Sequence, residues 1–190
     1  MMKKIVLSLV TACGILSANN QVEINMNSDT LEIEGSYYLN DIYEVSNEAN
    51  YYITASYLGN EEESVKKKLI STGLKLLNPY TNEYGFSFGL GCKLVIADDI
   101  GKSFLALPLN IHAKYEFDDM VHFDAEYGYA PKTLTFSDGD GYRDYKVTAN
   151  YKLLENGYAF TGVRGIETSY TKYEDVKYDT SLFFGYKVRF

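Results

Sequence analysis

Residues 181–190 read SLFFGYKVRF, and from Leu182 onward every second side chain is apolar: Leu182, Phe184, Tyr186, Val188 and Phe190. Phe183, Gly185, Lys187 and Arg189 stand between them. A period of two belongs to a strand whose faces meet different surroundings. A soluble strand can alternate in this way too. A phenylalanine closing the apolar face, where polar residues would suit water, raises the question of which solvent that face meets.

Working back from this stretch, the same period governs the chain from residue 31. In LEIEGSYYL, Leu31, Ile33, Tyr37 and Leu39 oppose Glu32, Glu34 and Ser36. Phe86, Phe88, Leu90, Cys92 and Leu94 oppose Ser87, Gly89, Gly91 and Lys93. Over 105–117 the apolar set runs from Leu105 to Phe117 against Asn110, His112, Lys114 and Glu116. Val121, Phe123, Ala125, Tyr127 and Tyr129 oppose His122, Asp124, Glu126 and Gly128, and Tyr145 to Leu153 oppose Lys146, Thr148, Asn150 and Lys152. Weaker strands are expected at 22–26, 51–58, 69–77 and 158–169, the last with a slip of phase near Gly165 and Ile166. The stretch EEESVKKKL (61–69) could hold a turn of helix. The composition agrees with strands, with 19 Tyr, 10 Phe, no Trp and only 3 Pro.

In a soluble sandwich the apolar faces point inward. Here the polar face carries Lys93, Lys114, Glu116, Asp124, Glu126, Lys146 and Lys152 at mid-strand, beside Gly89, Gly91 and Gly128. Small and charged residues together suit the interior of a narrow barrel, with the apolar set facing lipid. Unpaired backbone groups are not tolerated in hydrocarbon, so the sheet must close. The expected fold is all-β, a single antiparallel transmembrane β-barrel of about ten strands, with eight as the alternative.

This phase assigns an inner charged network of Glu32, Glu34, Glu116, Asp124 and Glu126 with Lys75, Lys93, Lys114, Lys146, Lys152, Arg164, Lys187 and Arg189, and with His112 and His122 beside them. Five acids against eight bases leave a surplus of about three positive charges, so any path through the lumen is expected to favour anions. The links at 118–119, 155–157 and 78–82 are short, whereas 60–68, 97–103, 131–144 and 171–179 are longer and charged. Bacterial membrane barrels have short periplasmic turns and longer external loops. Counting back from a periplasmic Phe190 puts these short links on one side. Tyr37, Tyr57, Tyr84, Tyr115, Phe117, Tyr129, Tyr142 and Phe190 are then expected at the interfacial girdles.

The first residues, MMKKIVLSLVTACGILSANN, join a basic start to an apolar stretch and the small pair Ser17 and Ala18, the pattern of a secretory signal peptide (1–18). The apolar stretch is too short to span a membrane, which takes roughly 20 residues. The expectation is Sec-dependent export, removal of 1–18, and a barrel domain over 19–190 in the bacterial outer membrane. An alternative takes VTAC (10–13) as a lipobox and Cys13 as a lipidation site. Cleavage after Ala18 removes Lys3 and Lys4 and shifts the net charge from -8 to -10. Such acidity disfavours nucleic acid as a partner. It also leaves Cys92 without a disulfide partner.

Several constellations admit a chemical reading. His122 and Asp124 resemble the His/Asp pairing of the omptin proteases, and a carboxylate can orient a histidine base. Their place just after the turn at 118–119 puts them at the periplasmic end, away from where omptin chemistry occurs. With His112 they could form a metal site, but antiparallel pairing sets His122 opposite residue 115 or 116 and leaves His112 displaced. DGDGYRD (138–144) lacks the third oxygen position, the glycine and the terminal glutamate of a calcium loop. GKS (101–103) lacks the first glycine of a phosphate-binding loop. Cys92 is expected to face lipid as an inert apolar residue. No cofactor, metal or catalytic residue is expected.

The aromatic-x-x-x-Phe ending, Tyr186 with Phe190, resembles the C-terminal signal by which outer-membrane barrels are recognised for assembly. AEYGYAPKTL (125–134), RDYKVTANYKLL (143–154) and GVRG (162–165), within a stretch from about Gly73 to Ser169, resemble the YfaZ family of small outer-membrane proteins, most specifically at Tyr129-Ala130-Pro131. The resemblance implies a porin-like barrel and brings no substrate. The expected function is a small porin-like or structural barrel with a narrow polar lumen and no catalysis, monomeric, its partners outer-membrane lipid, lipopolysaccharide and the assembly machinery. The alternatives are an outer-membrane enzyme acting on lipid or peptide, omptin-like or lipid-A-modifying, and a periplasmic β-protein or lipoprotein that binds an apolar ligand.

Overall fold

The computed structural model describes residues 19–40, 49–62, 65–99, 102–172 and 174–190. The signal-peptide and Cys13 readings lie outside the described residues. The strands in chain order are β1 (Gln21–Met26), β2 (Thr30–Tyr38), β3 (Asn50–Glu62), β4 (Val65–Leu77), β5 (Phe86–Asp99), β6 (Lys102–Ala106), β7 (Leu109–Glu116), β8 (Val121–Ala130), β9 (Thr135–Ser137), β10 (Gly139–Leu154), β11 (Gly157–Tyr170) and β12 (Val176–Arg189).

Two pairs of these are single wall strands with an interruption. Val95 opposes Ala106 and Cys92 opposes Leu109, so β6 and β7 keep one register against β5 across Leu107 and Pro108. Proline offers no N–H to the ladder, yet its carbonyl still accepts the Lys93 N–H at 3.1 Å. The alternation expected over 105–117 is therefore one line of wall broken only in its hydrogen bonding. Likewise β9 continues β8 after a 3-10 turn at Lys132–Leu134, pairing with β6 as β8 pairs with β7. The wall then has ten antiparallel strands, and the pairings of β4 with β5 and β1 with β12 close it. Closure removes the free edges that hydrocarbon would penalise.

Exposure is inverted relative to a soluble protein. Leu109 and Leu182 are 63% and 72% exposed, while Arg164 and Lys187 are 2% and 6% exposed. The outer surface is thus a continuous apolar band, including Phe88, Leu90, Ile111, Phe123, Val147 and Phe184, and Cys92 is also exposed. Such a band is stable against lipid and not against water. In a Cys92→Ala chain, single cysteines at Leu107, Leu109, Phe123, Val147 and Phe184 are expected to resist a membrane-impermeant maleimide in intact vesicles. Ready labelling would overturn the outward assignment.

One end, the base, carries the turns at 78–85, 117–120 and 155–156, together with the start of β1 and the end of β12. The opposite end, the crown, departs from the sequence pattern in three ways. First, the charged stretches expected as long loops are largely strand: β3 runs to Glu62, β4 starts at Val65, and β5 and β6 approach each other at Asp99 and Lys102. The turn of helix considered at 61–69 is strand over its described residues. Second, a three-residue link, 27–29, lies on the crown side, and the longer link after β2 lies at the base, so short links are not confined to one end. Third, β1 and β2 stop well below their neighbours. Met26 pairs with Phe184 and Thr30 with Asn60, so β12 above Phe184 faces β3 across a notch. Side chains bridge it: Asn60 Nδ2 donates to Tyr178 O at 2.7 Å and Lys67 Nζ to Lys177 O at 3.1 Å.

The slip of phase near Ile166 has a structural cause. Ile166 opposes Asp179 while Glu167 opposes Lys177, which leaves Tyr178 as a bulge that turns both Tyr178 and Asp179 into buried positions. Glycine also has a definite place on the inner face. Gly162 opposes Phe183 and Gly185 opposes Phe160, and a Cβ on either glycine would meet the partner ring at 3.1 and 2.4 Å. The two rings lie over these glycines and contact each other edge to face at 6.0 Å. Aromatic cover of a cross-strand glycine is a known device for fixing register.

Candidate functional site

The lumen is the candidate site, and it divides into three tiers. The middle tier centres on Arg164 of β11. Its Nε donates to Asp179 Oδ2 at 3.0 Å, Nη1 to Asn25 Oδ1 at 2.8 Å and Glu32 Oε2 at 2.5 Å, and Nη2 to Thr30 Oγ1 at 2.9 Å and Asp179 Oδ2 at 2.5 Å. The guanidinium also lies 5.0 Å from the Phe183 ring. Four strands converge here because the short β1–β2 hairpin brings Asn25, Thr30 and Glu32 against the bulge of β12. Lys146 joins the same group: it bonds Glu23 and lies 3.3 Å from Glu32 and 3.8 Å from Glu34.

Two further pairings extend this tier. Lys187 Nζ lies 3.3 Å from Asp124 and 3.7 Å from Glu23, and donates to Asn150 Oδ1 at 3.3 Å. His122 Nε2 is 3.5 Å from Asp124 Oδ2, and its ring meets Tyr158 edge to face at 5.2 Å. On the other wall, Lys93 pairs with Glu126 and, at 3.0 Å, with Asp144, while His112 Nδ1 is 3.3 Å from Glu126 Oε2. Asn110 Nδ2 donates to Glu126 at 3.2 Å. Such pairing offsets the large desolvation cost of enclosed charge.

The crown tier is apolar. Leu58, Leu69, Val95, Ala97, Phe104, Ala106, Ala130, Tyr142, Ile166, Tyr170 and Tyr178 form a buried cluster inside the wall. Phe104 sits 5.5 Å from Tyr170 and 6.2 Å from Tyr142. This cluster fills the bore, so the lumen is not polar throughout, as the alternation alone suggested. Tyr142, expected in a girdle, is one of its buried members. The sequence signal was present in LVIA (94–97), apolar on both phases at the crown end of β5.

The base tier is open. A cavity of about 280 Å³ is lined by Gln21, Tyr52, Lys75, Ser87, Lys114, Glu116 and Arg189 among others. A smaller space of about 40 Å³, between Glu32, Ser71, Lys93 and Arg164, lies deeper. Lys114 and Glu116, two apart on β7, bond at 2.6 Å. Lys152 lies on the inward phase of β10, two positions beyond the buried Asn150.

The residues assigned to the inner face thus line one lumen, although they do not form one site. The acids, however, were undercounted. Glu23, Asp144 and Asp179 are also buried and paired, which raises the five to eight and matches the eight bases. The positive surplus, and the anion-favouring path inferred from it, is therefore not a property of the described lumen as a whole. Asp144 and Asp179 were missed because they fall in stretches that look like charged loops. The register sets Glu116 opposite His122 and Glu126 opposite His112, which keeps the two histidines apart. Among the described residues no group of three or more His, Cys, Asp or Glu is placed to hold a metal ion. Tyr186 is outward on β12 opposite Ile24, and Phe190 exchanges backbone hydrogen bonds with Asn19 and Asn20.

No known protein family matches the chain, and no curated protein sequence matches it. Among solved structures, the NanC porin is similar at 7% identity over 92% of this chain and 100% of that one, with a TM-score of 0.47. OmpT of Vibrio cholerae is similar at 14% identity over 90% of this chain and 64% of that one, with a TM-score of 0.40. A bacterial polysaccharide outer membrane secretin gives 9% identity, 90% and 69% coverage, and a TM-score of 0.44. At such identities and TM-scores none of these likenesses bears on what the chain does.

Proposed function

We propose that this chain is a small porin-like or structural barrel of the bacterial outer membrane whose lumen is shut in the resting state and which carries no catalytic centre. The observation that carries this reading is the filled bore: an apolar cluster at the crown above an ion-paired layer around Arg164. No helix among the described residues is long and apolar enough to cross a membrane, and the apolar surface is that of the strands. The export signal expected at 1–18 and the Tyr186 to Phe190 ending support the outer membrane as the destination, with lipid, lipopolysaccharide and the assembly machinery as partners. The resemblance of 125–134 to the YfaZ family agrees with this; its Tyr129-Ala130-Pro131 marks the point where β8 gives way to the 3-10 turn.

Planar-bilayer recording tests the proposal. The unmodified protein is expected to give no steady conductance. A Phe104→Ala/Tyr170→Ala variant, which removes two touching rings of the crown cluster, should show small openings several times more often. Large steady openings from the unmodified barrel would overturn the shut-lumen reading.

A further inference from the structure

Above the 27–29 link the wall loses two of its ten strands. β1 ends at Met26 and β2 begins at Thr30, while β3 runs on to Glu62 and β12 starts at Val176. Eight strands are left around the crown, and an interior of that size is just filled by side chains. This accounts for the packed cluster there and for the open cavity below it. It also makes neighbours of β3 and β12, which share no register pair among the described residues. Side chains reaching main chain join them instead, Asn60 to the Tyr178 carbonyl and Lys67 to the Lys177 carbonyl. From the tip of the short hairpin, Asn27 Nδ2 donates to Asp179 Oδ2 at 3.1 Å and to Ser181 Oγ at 2.5 Å. The β9–β10 junction also lacks register pairs, but there the chain itself is the tie, through Asp138.

Both banks of the notch carry the plug. Leu58 of β3 and Tyr178 of β12 are fully buried members of the crown cluster, and Tyr178 gives its ring to the cluster while its carbonyl accepts from Asn60. Lys177 is the register partner of Glu167, which pairs with Arg143 on the outer surface, and Ser28, Asp29, Lys177 and Thr180 are exposed. The rim is therefore polar and stands above the apolar band. Parting the banks bares backbone groups to water and not to hydrocarbon, where they would be costly.

We propose that the β3–β12 notch is the gate of the bore: release of the Asn60 and Lys67 bridges lets β12 swing outward, draws Tyr178 from the cluster and opens a path past Leu58. The proposal rests on the shut-lumen reading and names the place where that lumen opens. At the laddered junctions an opening has to break a run of backbone hydrogen bonds, such as the twelve register pairs of β11 with β12. Here it breaks side-chain bridges, so the notch yields first.

Planar-bilayer recording under an applied voltage tests this. Asn60→Ala, which removes one bridge, should raise the frequency of brief openings over that of the unmodified protein by about fivefold, the scale of one hydrogen bond. In a Lys67→Cys/Lys177→Cys/Cys92→Ala chain a short bismaleimide joins the two banks, and openings should cease once it has reacted. The same reagent across Arg143→Cys/Glu167→Cys/Cys92→Ala, a pair already in register, should leave their frequency unchanged. Asn60 is buried, and if its alanine variant fails to fold, the cross-link decides alone. Openings no more frequent in a folded Asn60→Ala barrel, or as frequent with the banks joined as before, would remove the gate. A barrel that is shut at rest but whose openings ignore the cross-link loses only the gate, whereas a large steady conductance from the unmodified protein overturns the shut lumen itself.

Discussion

Replacing Arg164 by alanine is expected to destabilise the barrel by about 3–5 kcal/mol, the range for removing one partner of a buried ion pair. Arg164 is 2% exposed and donates to Asp179, Glu32, Asn25 and Thr30. Its loss strands the Asp179 carboxylate without a cation and leaves Glu32 to Lys146 alone, in an enclosed space. Urea unfolding of the folded barrel, followed by tyrosine fluorescence, measures the effect. Adding Asp179→Asn should recover part of the loss, because residues of one network do not contribute additively. A loss below about 1 kcal/mol would mean that water reaches the site and screens it as it does a surface pair.

The second large effect belongs to the outer face. Val147 lies on β10 between the outward Tyr145 and Tyr151, with Val163 and Ala125 as its register partners. Val147→Arg, set into the centre of the apolar band, should cost about 2–4 kcal/mol in a bilayer and much less near an interface. Reversible unfolding from lipid vesicles gives the number. Equal tolerance of arginine at Val147 and Leu153 would contradict a membrane midplane at that height.

These two residues also show what the sequence made legible. Val147 could be read directly, since strict alternation over 145–153 fixes both strand and face. Arg164 could be assigned inward by the same argument, but its partners could not all be named. Glu32 was in phase, whereas Asp179 reaches the lumen only because Tyr178 bulges, and a bulge shifts parity without leaving a compositional mark. Asp144 was hidden differently: its neighbours Asp138, Gly139, Asp140, Gly141 and Arg143 look like a solvated loop, yet the strand simply continues beyond the membrane. The crown cluster escaped for a related reason. Alternation separates a polar face from an apolar one, and where Leu58, Val95 and Tyr142 make both faces apolar there is no contrast left to read. What three-dimensional register added was therefore charge balance and occlusion, which depend on which strands meet rather than on any single strand.

The short β1 has a mechanical consequence. It shares six register pairs with β12, against twelve between β12 and β11. The cylinder is thus joined along a fault line, at which the two wall strands farthest apart in the chain meet. Bringing residue 19 to residue 190 is also the longest-range contact among the described residues, and such contacts form slowly. During folding the ribbon from β2 to β12 would curl first and the seam zip last. Under load, separation should start there too, at the notch above Phe184, so amides along the β1–β12 seam are expected to exchange with solvent ahead of those in the β10–β11 pair.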